Sequence, residues 1–251
     1  MGGFRIKTLI FYGILTLLTL IAIILIITVN SQTKFVAGEV RLDADVILDA
    51  GHGGMDGGAV SADGVCEAPI TLQIAKKAQL LMGFYGTTAV MTRSDDTSLD
   101  YRPEASTREN KNADLHARLS IARQYPDCAF LSIHLNQFSQ PKYAGAQVFY
   151  GAEGQGLAEV LQDRLRAVLA PNNTRVCKPA PDGVFLMKNI SAPAVTIECG
   201  FLSNPQECTL LQQDPYQTKI ALAITSAYQQ YNRGLEDGKN KNRLRLHRMR
   251  L

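Results

Sequence analysis

Short apolar runs alternate with longer amphipathic stretches along most of the chain. The apolar runs predict strands over residues 46–50, 87–92, 129–133, 146–150, 184–187 and 194–197. The amphipathic stretches predict helices over residues 70–82, 106–125, 157–169 and 214–231, and residues 204–207 predict the start of a further helix. Because strands and helices alternate, the pattern predicts an α/β layer fold with a mainly parallel sheet of about six strands flanked by helices.

The N-terminal part of the chain has a different pattern. Residues 8–29 carry no charged side chain and are long enough to cross a bilayer as a helix. Arg5 and Lys7 precede them, so we expect residues 1–7 to stay in the cytoplasm and the rest to be exported. A cleaved signal sequence is the alternative, but its apolar core is usually shorter. We therefore predict one N-terminal transmembrane helix, a polar linker over residues 30–43 and a catalytic domain over residues 44–232, outside the cytoplasm.

The charge distribution indicates little about function except at the C-terminus. The net charge is +3 and tryptophan is absent, so the chain lacks the overall composition of a nucleic-acid-binding protein. Residues 239–250 contain six Lys or Arg and no acid. We expect the tail, residues 233–251, to be disordered and solvated; attraction to an anionic wall polymer or lipid surface is the alternative.

The cysteines do not form a disulfide framework. There are five, an odd number, and no Cys-x-x-Cys motif occurs. Cys128 and Cys199 lie in apolar runs, where a thiol behaves as a small hydrophobic group. We expect the cysteines to be reduced and mostly buried, although one chance pair stays open.

Polar side chains with catalytic potential follow the predicted strands. His52 ends the stretch VILDAGH, His134 ends AFLSIH, Glu198 ends AVTIE, and Glu67 precedes the first long helix. Binding sites of parallel sheets gather at the carboxyl ends of the strands. Two imidazoles and one carboxylate can hold a catalytic zinc ion, and a further carboxylate can transfer protons during amide hydrolysis. The spacing alone does not decide which glutamate takes which role.

The motifs occur in a familiar order: VILDAGHGGMDGGAV, CEAPITLQIAKKAQLL, TTAVMTR, DLHARLSIAR, FLSIHLN, GAQVFY and PAVTIECGFLSNPQECTLL. Over residues 45–231 the chain resembles the zinc-dependent N-acetylmuramoyl-L-alanine amidases of type 3. This resemblance implies a single α/β domain with a twisted sheet and hydrolysis of the amide between the muramic acid lactyl group and L-alanine in peptidoglycan. It also implies one Zn²⁺ per chain.

The resemblance assigns roles to individual residues. It implies that His52, Glu67 and His134 are the metal ligands and that Glu198 is the catalytic glutamate. Arg93 and Asn136 also match positions of the family motifs, which implies support of the site or of the substrate.

GAQVFY and ECGFLSNPQE are similar to the germination-specific amidases of spore-forming bacteria. This similarity implies action on cortex peptidoglycan that leads to muramic δ-lactam, in the cell envelope or the forespore intermembrane space. A vegetative wall amidase, or autolysin, is the alternative. Residues 97–104 and 172–182 are short, so we expect an activator protein or the timing of expression, rather than an inserted helix, to control activity. The sequence gives no oligomeric state.

Two other hypotheses compete with a zinc amidase. A cysteine amidase would use Cys66 or Cys199 as the nucleophile. Cys199 follows Glu198 in a strand and should point to the opposite face, whereas Cys66 is harder to exclude. A non-catalytic peptidoglycan-binding module is less expected, because all four candidate positions carry residues competent for catalysis.

Overall fold

The computed structural model describes residues 44–248, with side chains up to Leu235 and at Asp237. The predicted cytoplasmic segment 1–7, the transmembrane helix 8–29 and the linker 30–43 lie outside the described residues. Within residues 44–248, no helix combines the length and the apolar character needed to span a bilayer.

Six strands form one sheet in the order β2-β1-β3-β6-β4-β5. Strands β2, β1, β3 and β6 are parallel, β4 is antiparallel to β6, and β5 is parallel to β4. The strands are β1 (Val46–Ala50), β2 (Ala89–Met91), β3 (Ala129–Asn136), β4 (Gln147–Tyr150), β5 (Lys178–Pro179) and β6 (Ala194–Phe201). The predicted α/β fold with a mainly parallel, six-stranded sheet is confirmed, and the sheet is mixed because of β4.

Helices cover both faces of the sheet. They are α1 (Glu67–Phe84), α2 (Thr107–Gln124), α3 (Gln155–Leu169), α4 (Phe185–Asn189), α5 (Pro205–Leu211) and α6 (Asp214–Arg248). Apolar residues of α1, α3 and α6 form the larger core with one face, and those of α2 and α4 form a smaller core with the other. Successive side chains of a strand point to opposite faces of the sheet, so alternate residues of each strand pack into the two cores.

Two predicted helix starts are confirmed in detail. The Ser106 side chain accepts a hydrogen bond from Glu109 N, and the Glu109 carboxylate accepts one from Ser106 N, which is a complete capping box. The Asn204 side chain caps α5 by accepting from the amides of residues 206 and 207, with Pro205 in the first position.

The predicted strand over residues 184–187 is wrong, because this segment begins helix α4. Val184 is the N-cap of α4, and Leu186 and Met187 pack into the smaller core. A short apolar run fits a buried helical turn as well as a strand, and here it follows a Pro-Asp-Gly turn. The sixth strand is β5 instead, whose proline is tolerated because β5 lies at the sheet edge.

The last helix is also longer than predicted. Helix α6 continues beyond Tyr231 to Arg248, so the predicted disordered tail is helical as far as that residue. The segment contains no proline and is rich in Leu, Lys and Arg, which favour helix.

Candidate active site

The chain leaves β1 through a tight left-handed turn. His52 has φ 61° and Gly53 has φ 136°. A Cβ atom on Gly53 would lie 2.4 Å from the carbonyl oxygen of Thr97, so only glycine fits there. A non-glycine residue in the left-handed region costs about 1–2 kcal/mol. Arg118 holds the turn, because its Nη2 donates to the His52 carbonyl oxygen at 2.6 Å.

The structure brings His52, Glu67 and His134 together. Glu67, the first residue of α1, lies between the two imidazoles: His52 Nε2 is 3.2 Å from its Oε2 and His134 Nδ1 is 2.9 Å from its Oε1. One donor atom from each residue lies within 4.8 Å of the others. Donor atoms on one tetrahedral Zn²⁺ are about 3.3 Å apart when the bonds are about 2.0 Å long. The nitrogen-oxygen-nitrogen set therefore fits a zinc ion.

Charge supports the same cluster. Burial alone would raise the pKa of Glu67, but hydrogen bonds from His134 and His52 hold it well below its usual range. Burial lowers the pKa of His52, yet its hydrogen bonds to Asp56 and Glu67 raise it to about 9. The buried carboxylate thus stays ionised and attracts positive charge, whether protons or a metal ion.

Glu198 lies beside this cluster on the next strand. It is in register with His134 between β3 and β6, so both side chains project from the same face of the sheet. Its Oε2 is buried and has no hydrogen-bond partner among the described residues. Burial is the main cause that raises the pKa of Glu198 to about 7. A carboxylate with a free oxygen and this pKa suits proton transfer near neutral pH.

Asp56 orients His52 and was not predicted from the sequence. Its Oδ2 is 2.9 Å from His52 Nδ1, and its Oδ1 is 3.0 Å from the Lys111 ammonium. With Nδ1 occupied, His52 presents Nε2 to Glu67. The sequence signal was an aspartate four residues after His52. The two side chains meet only because of the turn that the structure shows.

A buried ion pair stabilises the turn that follows β1. Asp49, in β1, pairs with Arg118, and the hydroxyls of Thr92 and Ser132 donate to the same carboxylate. Arg118 also donates to the carbonyl oxygen of Ala50. The sequence signal was a charged residue in an otherwise apolar strand, which requires a partner.

Arg93 and Asn136 have supporting positions. Arg93 is 3% exposed and donates to the carbonyl oxygens of Ala50, Gly51 and Ala68. It therefore fixes the backbone of the site and is not placed to contact substrate. Asn136 ends β3, where its carbonyl oxygen accepts from the amide of Leu202.

All five cysteines are free thiols, as predicted. Cys199 is buried in the larger core, on the face opposite Glu198, and burial raises its pKa well above the usual range. Cys66 is the N-cap of α1, and its Sγ contacts the carbonyl oxygen of Gly64 at 3.9 Å. Neither thiol hydrogen-bonds to a histidine among the described residues, which disfavours a cysteine nucleophile.

Comparison with known proteins finds several amidases that are similar to this chain. The chain is 38% identical over 189 residues to the germination-specific N-acetylmuramoyl-L-alanine amidase of Bacillus subtilis, covering 74% of this chain and 78% of that protein. It is 28% identical to the Escherichia coli N-acetylmuramoyl-L-alanine amidase AmiA, over 74% of this chain and 75% of that one.

A solved structure shares both fold and sequence. The CwlD amidase of Clostridioides difficile, determined in complex with the GerS lipoprotein, superposes with a TM-score of 0.71 at 43% identity, covering 74% of this chain and 96% of that one. Residues 46–230 match the family described as N-acetylmuramoyl-L-alanine amidase. Because that match runs from the first strand into the last helix and includes all four candidate residues, the chain belongs to the N-acetylmuramoyl-L-alanine amidase family and is an amidase of this kind.

Proposed function

We propose that the chain hydrolyses the lactyl-L-alanine amide of peptidoglycan with one zinc ion held by His52, Glu67 and His134, and with Glu198 as the catalytic acid and base. The observation that carries this proposal is the buried, unpartnered Oε2 of Glu198 next to the His-Glu-His cluster. A carboxylate oxygen in that position costs stability unless it is used.

The structure suggests which atoms would hold the ion. His52 would use Nε2, because Asp56 occupies Nδ1, and His134 would use Nδ1, the nitrogen near Glu67. The Glu67 carboxylate is oriented by the amides of Leu135 and Ala59, which donate to Oε1 and Oε2. Zinc bound there would polarise the substrate carbonyl and lower the pKa of water.

Glu198 would then move the proton. As the water oxygen bonds to the lactyl carbonyl carbon, the Glu198 carboxylate takes the water proton. When the carbon-nitrogen bond breaks, Glu198 gives that proton to the nitrogen of L-alanine, which leaves as an amine. Burial raises the pKa of Glu198, and this favours its acting first as a base and then as an acid near neutral pH.

Two variants separate the metal from the proton transfer. Glu198→Gln should keep zinc and lose kcat by about 10³-fold or more, because both proton transfers fail. His134→Ala should lose the metal itself. Zinc content by elemental analysis, beside turnover, distinguishes them, and near-normal turnover in Glu198→Gln would refute the assignment.

The proposal includes the place of action. The sequence of residues 1–29 supports an uncleaved membrane anchor, followed by the linker 30–43 and an extracytoplasmic catalytic domain over residues 44–232. The amidase activity supports an extracytoplasmic site, since peptidoglycan is assembled outside the membrane.

The biological substrate would be spore cortex. Similarity to the germination-specific amidase of Bacillus subtilis supports this, as does similarity to an amidase solved with a lipoprotein, which also favours an activator for this chain. Muropeptide analysis of spores that lack the chain should show cortex without muramic δ-lactam. Normal δ-lactam content would favour the alternative, a vegetative wall amidase.

A further inference from the structure

A basic groove lies beside β4, at the end of the strand where Gln147 pairs with Glu198 of β6. Its volume is about 620 Å³, and its lining includes Lys142, Gln147, Asn173, Arg175, Lys178 and Glu207. We call it the β4 groove. None of its three basic side chains has a carboxylate within 4.0 Å among residues 44–248. Their charge is therefore available to a ligand.

Arg175 is held in place by contacts that do not neutralise it. Its Nε donates to the carbonyl oxygen of Ala144, its Nη1 donates to Gln147 Oε1 at 2.9 Å, and its guanidinium lies 4.6 Å from the centroid of the Phe201 ring. Nη2 makes no hydrogen bond within the described part of the chain. A fixed guanidinium with a free donor edge is well suited to binding a carboxylate.

Glu207 lines the same groove and attracts the charge of Arg175, but the two side chains form no ion pair within 4.0 Å. Its Oε1 accepts from the amide of Gly145 and its Oε2 from the amide of Phe201, so it anchors two backbone segments at the base of the groove. Lys142 and Lys178 remain exposed at the rim.

The groove is connected to the catalytic residue through Gln147. Gln147, in β4, is in register with Glu198, in β6, so their side chains share one face of the sheet. Directly opposite residues of antiparallel strands have Cα atoms about 5 Å apart. Arg175 contacts the far end of the Gln147 side chain. The Gln147 side chain therefore separates a ligand group bound by Arg175 from Glu198, and an extended peptide, which spans about 3.5 Å per residue, is suited to connect the two positions.

We propose that the β4 groove binds the free α-carboxylate of the second stem-peptide residue, D-glutamate, on the leaving-group side of the scissile amide. The inference rests on the proposed function, because it takes the stem peptide as the substrate. It assigns Arg175 as a substrate-binding residue, with Lys142 and Lys178 attracting the same charge.

The test compares two matched peptides on the full-length, zinc-loaded chain. One is L-Ala-γ-D-Glu-L-Lys, and the other carries D-isoglutamine, in which the α-carboxylate is an uncharged amide. We expect titration calorimetry to show about tenfold tighter binding of the carboxylate peptide, as is typical of a charge-assisted hydrogen bond. Arg175→Gln should remove this preference.

One further variant keeps the test decisive if Arg175→Gln unfolds. Lys142→Gln with Lys178→Gln replaces two exposed side chains and should weaken binding of the carboxylate peptide by about threefold, as expected for solvent-exposed charges. Arg123→Gln and Lys76→Gln, exposed basic residues outside the groove, are the controls and should leave the preference unchanged.

With the N-acetylmuramoyl forms of both peptides, the variants should raise KM for the carboxylate substrate and leave kcat within about twofold. The reason is that the lost contact stabilises the bound substrate and the transition state equally. Equal affinity of the wild type for both peptides, or equal weakening of both by the variants, would overturn the inference. Absence of turnover in the wild type would count against the proposed function instead, since the titration requires no reaction.

Discussion

Glu67 and Glu198 lie on neighbouring parts of one site, yet their environments shift their pKa values in opposite directions. Glu67 contacts two imidazoles and two backbone amides, whereas Glu198 Oε2 has no described partner. An ionised carboxylate with all its hydrogen bonds made is suited to bind a metal ion, and a carboxylate whose pKa is raised is suited to transfer protons. The sequence could place both near the site but could not distinguish them, because the distinction depends on contacts across the sheet.

Asp56 provides a residue-scale prediction about the metal. Asp56→Ala should weaken zinc affinity about 10–100-fold, since a histidine ligand loses the carboxylate that fixes its ring. Competition with a fluorescent zinc chelator measures the affinity without any need for turnover. Asp63→Ala, an exposed aspartate without a described ion pair, is the matched control. Unchanged affinity in Asp56→Ala would show that Asp56 does not position His52.

Gly51 provides a second prediction at this scale. A Cβ atom there would lie 2.3 Å from His134 Cε1, so Gly51→Ala must displace the His134 ring. We expect the variant to lose most of its zinc. Gly83→Ala, in helix α1, is the control, because its Cβ meets no atom within 4 Å and alanine favours helix by about 0.5–1 kcal/mol. Full zinc content in Gly51→Ala would contradict the observed packing.

At the scale of elements, β1 depends on the buried pair of Asp49 and Arg118. Burial raises the pKa of Asp49, but Arg118, Ser132 and Thr92 together hold it below its usual range. The carboxylate therefore stabilises the fold above the unfolded pKa of about 3.9, and this stability is lost as the pH falls through the lower folded pKa.

Replacing this carboxylate tests the role of the pair. Asp49→Asn should lower the free energy of unfolding by about 3 kcal/mol at neutral pH, because Arg118 loses a buried partner. Denaturant unfolding between pH 2 and pH 7 should also show a shallower acid dependence than the wild type. Asp63→Asn should match the wild type. A variant with the full acid dependence would show that other carboxylates carry it.

Prediction of the elements succeeded where periodicity was strong. The apolar run of β1, the capping box at Ser106 and the cap at Asn204 each have a local cause, and each was found in the structure. Helix α4 and strand β5 were missed because tertiary packing decides them. Leu186 is helical because it fills the smaller core, and Lys178–Pro179 is a strand because β4 offers its free edge.

At the scale of the whole molecule, the parallel order of β1, β3 and β6 assembles the site from distant segments. His52 follows β1, and His134 and Glu198 lie in β3 and β6 within three residues of the carboxyl ends of these strands, so one edge of the sheet collects them. This rule is topological and could be applied to the sequence. The supporting contacts of Asp56 and Arg118 depend on how α2 crosses the sheet, and the sequence gives no measure of that crossing.

A metal at this edge would join three separate segments of the chain, and its removal should therefore be measurable as lost stability. A chelator should lower the Tm, since a ligand present at 1,000 times its Kd stabilises by about 4 kcal/mol. His134→Ala should have a lower Tm that the chelator does not change. An identical Tm for the wild type with and without chelator would contradict a zinc ion bound in the folded state.

The most direct test of the account is digestion of purified peptidoglycan by the full-length chain, followed by mass spectrometry of the products. The account predicts stem peptides that begin at L-alanine and glycan with free lactyl groups. A chelator should abolish these products, zinc should restore them, and a thiol-alkylating agent should leave them unchanged. Products that persist with the chelator and disappear on alkylation would contradict it and identify a cysteine amidase.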